Sequence, residues 1–124
     1  MSTSPQPILV VDDDFGVRTT VAEILRRAGY EVLEVDDGQA ALELLRSERV
    51  GLVLLDIRMP VLDGIGVLDA LDDPPRILLV SAFSVDPETR ARVGPKVYRY
   101  LRKPVPPRHL LEVVAEAAAS RSSP

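Results

Sequence analysis

Five polar residues stand where an apolar run has just ended. Asp12 and Asp13 follow Ile8 to Val11, Asp56 follows Gly51 to Leu55, Ser81 follows Arg76 to Val80, and Lys103 lies just beyond Val97 to Leu101. If those runs are parallel strands of one sheet, their C-terminal ends share an edge, and three carboxylates, a hydroxyl and an ammonium converge there. Clustered carboxylates repel one another, and their pKa values rise unless a cation neutralises them. Mg2+ is the natural partner, with Mn2+ as a substitute: it takes hard oxygen ligands and commonly combines one or two carboxylates with water and a phosphate oxygen. Asp13 and Asp56 suit direct ligation, Asp12 suits holding a water of the ion, and a backbone carbonyl near Arg58 suits a further oxygen. A phosphoryl donor fits the remaining positions. The Asp56 carboxylate is then a nucleophile toward phosphorus, Mg2+ and Lys103 balance charge on the equatorial oxygens, and Ser81 hydrogen-bonds a third oxygen.

The elements that must position these residues are legible in the apolar pattern. Ile8 to Val11 reads as a strand buried on both faces. Val17, Val21, Ile24 and Ala28 recur at helical spacing, and Gly29 stops the helix, which predicts residues 15–28 as helical. Residues 31–35 alternate like a strand, and residues 39–48 place Ala41, Leu44 and Leu45 on one helical face. Residues 51–55 form a third strand, 64–71 a short helix, and 76–80 a fourth strand after the Pro74-Pro75 break. Asp86 and Pro87 mark a helix start, and Gly94-Pro95 ends that helix after roughly two turns. Residues 97–101 complete the strands, and 107–119 form a last helix burying Leu110, Val114 and Ala117 or Ala118. Strict alternation with short connections requires parallel strands and right-handed crossovers. The result is a doubly wound α/β fold with a five-stranded sheet, for which 2-1-3-4-5 is the usual order. Its switch point lies between the strands that end at Asp12-Asp13 and at Asp56.

The chain has 124 residues, enough for one domain over 8–119 with flexible ends at 1–7 and 120–124. Composition is 46% hydrophobic and only 4% aromatic, so the core must be aliphatic. A net charge of −4 and scattered arginines argue against direct nucleic-acid binding. The absence of cysteine removes disulfides and thiolate metal sites. No stretch has the length of a membrane span or the character of a signal peptide, so the expected location is cytoplasmic and no membrane partner is expected.

With these residues in order, the chain resembles the receiver domain of two-component response regulators, a flavodoxin-like (βα)5 fold. The resemblance covers Ile8 to Ala119. It rests on Val10-Val11-Asp12-Asp13-Asp14, Asp56 with Met59-Pro60 and Asp63-Gly64, Ser81-Ala82, and Tyr100-Leu101-Arg102-Lys103-Pro104. It implies that Asp56 accepts a phosphoryl group from a histidine kinase or phosphotransfer protein, or from a small phosphodonor. Asp12 and Asp13 would be the Mg2+-binding pair, Lys103 the contact to the phosphoryl group, Ser81 the switch hydroxyl and Tyr100 the rotameric switch. It also implies a cis peptide at Lys103-Pro104 and a changed surface on the fourth helix, fifth strand and fifth helix, read by a downstream protein or output domain.

Plainer roles compete at several positions. Asp14 reads as a cap or solvated charge, Met59 and Pro60 as loop packing, and His109 as a surface residue. Tyr98 and Tyr100 share a strand face by spacing, and the offset from Lys103 favours Tyr100. A haloacid-dehalogenase-type phosphatase needs a second aspartate two residues after its nucleophile, where this chain has Arg58. A phosphorylation-independent interaction module is the remaining alternative. The chain also departs from the usual receiver pattern: the Asp56 to Ser81 interval is short, the fourth helix is curtailed, and Lys96-Val97 replaces the usual Gly-Ala pair. The usual dimerisation surface would be altered, and monomer or weak homodimer both fit. Arg58 and Phe83, two residues after Asp56 and Ser81, are placed to screen a phosphoryl group from water.

Overall fold

The computed structural model describes residues 6–120, so the flexible ends expected at 1–7 and 120–124 fall, for 1–5 and 121–124, outside the described residues. In chain order the elements are β1 (Ile8–Val11), α1 (Phe15–Arg27), β2 (Val32–Val35), α2 (Gly38–Ser47), β3 (Leu52–Asp56), α3 (Gly64–Ala70), β4 (Arg76–Ser81), α4 (Pro87–Val93), a 3-10 turn (Gly94–Lys96), β5 (Arg99–Arg102) and α5 (Pro107–Ser120). All strand pairs are parallel, in the order β2-β1-β3-β4-β5.

Alternation along the strands divides the core into two layers. Ile8, Val10, Leu52, Leu54, Leu78 and Leu101 face α1 and α5, meeting Ala22, Leu25, Leu110, Val113, Val114 and Ala117. Leu9, Val11, Val53, Leu55, Ile77 and Leu79 face the other side and meet Ala41, Leu42, Val67, Leu68 and Val93. Both faces are covered, which is why the central strands read as unbroken apolar runs.

Aspartate starts four helices. Carboxylates of Asp14, Asp37, Asp63 and Asp86 accept the amide three residues on, from Val17 at 3.0 Å, Ala40 at 2.7 Å, Gly66 at 2.8 Å and Thr89 at 3.0 Å. Each satisfies a donor that the first helical turn leaves unpaired. After α1 the chain reverses at Gly29, whose φ of 101° is the left-handed conformation that glycine adopts without a Cβ clash.

Several helical faces differ from the pattern read in the sequence. In α1 the buried residues are Ala22 and Leu25, with Val21 and Ile24 half-buried beside them, while Val17 and Ala28 are exposed. Val17, Val21, Ile24 and Ala28 trace one edge of a wider apolar stripe, and small Ala22 is what allows α1 to approach the sheet. In α2, Ala41 is joined at the core by Leu42, while Leu44 and Leu45 flank it. In α5, Val113 joins the expected Leu110, Val114 and Ala117. Strand β5 begins at Arg99 rather than at residue 97, because the 3-10 turn draws the Val97 amide back to the Gly94 carbonyl at 3.1 Å. The shared face expected for Tyr98 and Tyr100 is therefore not observed: Tyr98, ahead of the strand, packs against the α1/α5 layer and Tyr100 against the opposite one. Both α3 and α4 are seven residues long, as the short intervals predict.

Candidate functional site

Strand register decides which polar residues meet. Val11 pairs with Leu55 and Asp56 with Val80, so Asp12, the residue after β1, and Asp56, the last of β3, stand side by side at one edge. Ser81 ends β4, pairs with Arg102, and accepts the Lys103 amide on its carbonyl at 2.8 Å, which places Lys103 on the same edge. Asp12, Asp56 and Ser81 are buried and Asp13 is exposed.

One ammonium faces this cluster. Lys103 Nζ lies 2.8 Å from Asp12 Oδ2 and 3.4 Å from Asp56 Oδ1. Carboxylate oxygens of Asp12, Asp13 and Asp56 lie within 4.8 Å of one another, a donor set of the kind that holds a hard divalent cation. Asp12 is held from two further directions: its Oδ1 accepts the Asp14 amide at 2.9 Å, and its carbonyl accepts Arg18 Nη1 at 2.9 Å. Burial raises the Asp56 pKa from an ordinary 3.8 to about 6, and Asp12 adds to the rise while Lys103 opposes it. Burial draws Lys103 down, but its hydrogen bond to Asp12 and the charge of Asp56 outweigh that and leave it raised.

The loop after β3 is pressed against the site. A Cβ on Gly64 would collide with the carbonyl oxygen of Asp56, so only glycine permits this approach, and the Gly64 amide donates to the Ile57 carbonyl at 2.8 Å. Val61 in this loop has φ of 70° and is 89% exposed, a left-handed conformation that a β-branched residue adopts only under strain. Arg58 is exposed, and its guanidinium lies 4.6 Å from the centre of the Phe83 ring, joining the loop after β3 to the loop after β4.

On the β4 side, Ser81 Oγ accepts the Phe83 amide at 3.0 Å. The Tyr100 hydroxyl is buried and, among the described residues, has no hydrogen-bond partner; the Tyr98 hydroxyl donates to Glu116 at 2.9 Å. That contrast separates the two tyrosines more firmly than their spacing does. The Lys103-Pro104 peptide is cis, as the resemblance implies. His109 is exposed in the first turn of α5. Sequence reasoning missed Arg18, which holds the Asp12 carbonyl, and Arg102, whose Nε donates to the Ala82 carbonyl at 2.9 Å. Arg18 lies outside the quoted motifs, and Arg102, though inside one, carries no mark of its partner, because an arginine's reach depends on where the opposing loop lies. A groove of about 870 Å³ also opens beside the acids, between α1 and the segment leading into α5, walled by Val21, Ile24, Leu54, Val105 and Leu110.

Comparison with known proteins agrees with this architecture. The family model described as response regulator receiver domain matches residues 8–115. Sporulation initiation phosphotransferase F of Bacillus subtilis is 35% identical over 81 residues, which cover 63% of this chain and 65% of that protein. The response regulator MprA of Mycolicibacterium vanbaalenii is 41% identical over 104 residues, 81% of this chain but only 45% of its own length. The chain thus spans less than two thirds of either relative. Among solved structures, a CheY-like response regulator receiver domain from Methanospirillum hungatei superposes with a TM-score of 0.87 at 29% identity, covering 95% of this chain and 97% of that one. The response regulator TrrA of Thermotoga maritima, in complex with Mg2+-BeF, gives 0.79 at 30% identity over 90% of this chain and 98% of that one. No helix among the described residues is long and apolar enough to cross a membrane. With five strands in the order 2-1-3-4-5, an acidic edge at the switch point and a family match across nearly the whole described fold, the chain belongs to the response regulator receiver domains of two-component systems.

Proposed function

We propose that this receiver domain takes a phosphoryl group onto Asp56 in a Mg2+-dependent reaction and uses the phosphorylated state to change a partner-binding surface. The observation that carries this reading is the charge imbalance of the site. Three carboxylates against one ammonium leave the ionised cluster two charges negative, which matches a divalent cation. Asp12, Asp13, Asp56 and the backbone carbonyl of Arg58 would hold Mg2+, with Mn2+ as a substitute, and the ion would supply positive charge to the phosphoryl oxygens.

The donor is a phosphohistidine on a histidine kinase or phosphotransfer protein, or a small phosphodonor. An Asp56 carboxylate oxygen attacks phosphorus, the new P–O bond forms as the P–N bond breaks, and the departing imidazole keeps the electron pair and takes up a proton. With its pKa near 6, Asp56 is predominantly ionised at neutral pH and competent as the nucleophile. Lys103 shifts from Asp56 to the phosphoryl oxygens while keeping Asp12, and Ser81 releases the Phe83 amide to hydrogen-bond a phosphoryl oxygen. Tyr100 follows Ser81, and the surface of α4, β5 and α5 changes for a downstream protein or output domain. The stacked Arg58 and Phe83 screen the phosphoryl group from water, so self-dephosphorylation is slow; a phosphoryl lifetime of only seconds would contradict this.

Intact mass after incubation with acetyl phosphate tests the reading. One phosphoryl adduct is expected, requiring Mg2+ and absent from Asp56→Ala. If neither an adduct nor bound beryllofluoride is seen, the domain is a phosphorylation-independent interaction module.

A further inference from the structure

Tyr100 lies between the site edge and α4, and a residue outside the receiver motifs contacts it. Arg90, in the middle of α4, places its guanidinium carbon 4.0 Å from the centre of the Tyr100 ring. A small cavity of about 220 Å³ beside them is lined by Ser81, Val85, Arg90 and Tyr100, so the ring and Ser81 border the same space. The Tyr100 hydroxyl makes no hydrogen bond there, so the polar end of the side chain does not hold the ring in place. The ring instead packs against the aliphatic layer and stacks under the Arg90 cation.

The rest of α4 is attached elsewhere. Val93 is its buried residue. Arg92 Nη1 lies 2.6 Å from both carboxylate oxygens of Asp69, and Lys96, in the 3-10 turn that follows α4, donates to the Leu68 carbonyl at 2.8 Å; both ties run to the end of α3. Arg90 therefore contacts the switch tyrosine while its neighbours bind α4 to α3.

We propose that Arg90 is a positioning residue that couples Tyr100 to α4, so that a change in the tyrosine's position is transmitted to this short helix. The proposal rests on the reading of Ser81 and Tyr100 as the switch pair. Coupling through the ring face also accounts for how a seven-residue helix with one buried side chain can follow a motion that begins at Ser81. Unstacking frees the helix to move about its α3 anchors, whereas a stacked guanidinium carries it with the ring.

The test begins with the untreated protein, using amide hydrogen exchange of Arg92, Val93 and Gly94 measured by NMR. Arg90→Ala and Tyr100→Leu should each accelerate exchange about two- to fivefold, the factor expected for a solvent-accessible cation on an aromatic face. The double variant should exchange no faster than the faster single one. Tyr100→Phe, which keeps the ring, should leave the effect of Arg90→Ala intact, and Arg90→Lys should recover part of the protection. Independent, multiplying effects, or no effect of Arg90→Ala, would overturn the coupling. Mg2+ and beryllofluoride are then added. In the parent protein the Tyr100 and α4 resonances should shift together; in Arg90→Ala the Tyr100 shift should persist while the α4 shift is lost. An α4 shift undiminished in Arg90→Ala would also overturn it. Failure of the parent protein to bind beryllofluoride would refute the phosphoacceptor reading instead, and the exchange cycle would still decide the coupling. Arg92→Ala serves as the control that loosens α4 from α3 without erasing its response.

Discussion

On the β1–β3 side of the site edge, Asp12 and Asp56 are carried by strands covered on both faces, in a core of aliphatic side chains. On the β4–β5 side, the loop after Ser81 and the short α4 are held by arginines: Arg58 on Phe83, Arg102 on the Ala82 carbonyl, Arg90 on Tyr100 and Arg92 on Asp69. Burial of aliphatic area is strong and a close-packed core resists displacement, whereas exposed ion pairs and stacked cations are individually weak and readily exchanged for water. The acids are thus fixed by the part of the molecule that is hardest to move, and the loop after Ser81 and α4 by the part that is easiest. Under the proposed function, a phosphoryl group arriving between them would leave the first in place and rearrange the second.

The contrast can be broken most directly in the core. Leu55 of β3 is fully buried and pairs with Val11 on one side and Leu79 on the other; Leu55→Ala should cost about 2–5 kcal/mol in denaturant unfolding. A loss below about 1 kcal/mol would mean that the strands are not the rigid half.

Charge at the rigid edge gives the next effect. A carboxyl whose folded pKa is raised binds more protons folded than unfolded between its two pKa values, so stability falls as pH rises from 3.8 to about 6. Above that window the cost is fully present. Asp56→Asn should therefore stabilise the metal-free protein at pH 7 to 8 by roughly 2 kcal/mol, with the gain disappearing near pH 4. Mg2+ should narrow the difference by stabilising the parent protein. A gain that grows as pH falls would reverse the sign assigned here.

Backbone strain at the mouth of the site is smaller. Val61→Asn places a residue that tolerates the left-handed region at φ of 70°, and the unfolding free energy should rise by about 1 kcal/mol. An unchanged denaturation midpoint would show that the loop relaxes around valine without cost.

The smallest global effect belongs to the arginine-held side. Arg92→Ala should lower stability by less than about 1 kcal/mol, because both partners are about half exposed, while exchange of the α4 amides quickens locally. A global loss as large as that of Leu55→Ala would remove the distinction between the two sides.

Much of the site was legible in the chain because its residues follow apolar runs, and a run of buried strand ends where a polar side chain can reach solvent. Asp12, Asp56, Ser81 and Lys103 each carry that local mark, and the alternation of strands and helices limits how the strands can be ordered. Helical faces were less legible: Val17 and Ala28 fit a four-three-four spacing yet are exposed, since spacing defines a stripe but not which edge of it meets the sheet. The many aspartates illustrate the same boundary. Asp14 and Asp86 read as caps from their place before a helix, while Asp12 and Asp13, in the same run as Asp14, differ from it only through what the fold brings near them.

By itself, then, the sequence determined the α/β alternation, the parallel sheet, the short α3 and α4, and which acids and lysine end the strands, because these follow from local periodicity, turn residues and the handedness of parallel crossovers. Only the tertiary structure decided that Tyr98 and Tyr100 lie on opposite sides of the sheet, that Lys103 sits between Asp12 and Asp56, and that Arg58, Arg90 and Arg102 reach the loop and ring they hold. Those contacts join residues far apart in the chain through long, flexible side chains. Their partners are set by distances between packed elements, and no local pattern of residues encodes those distances.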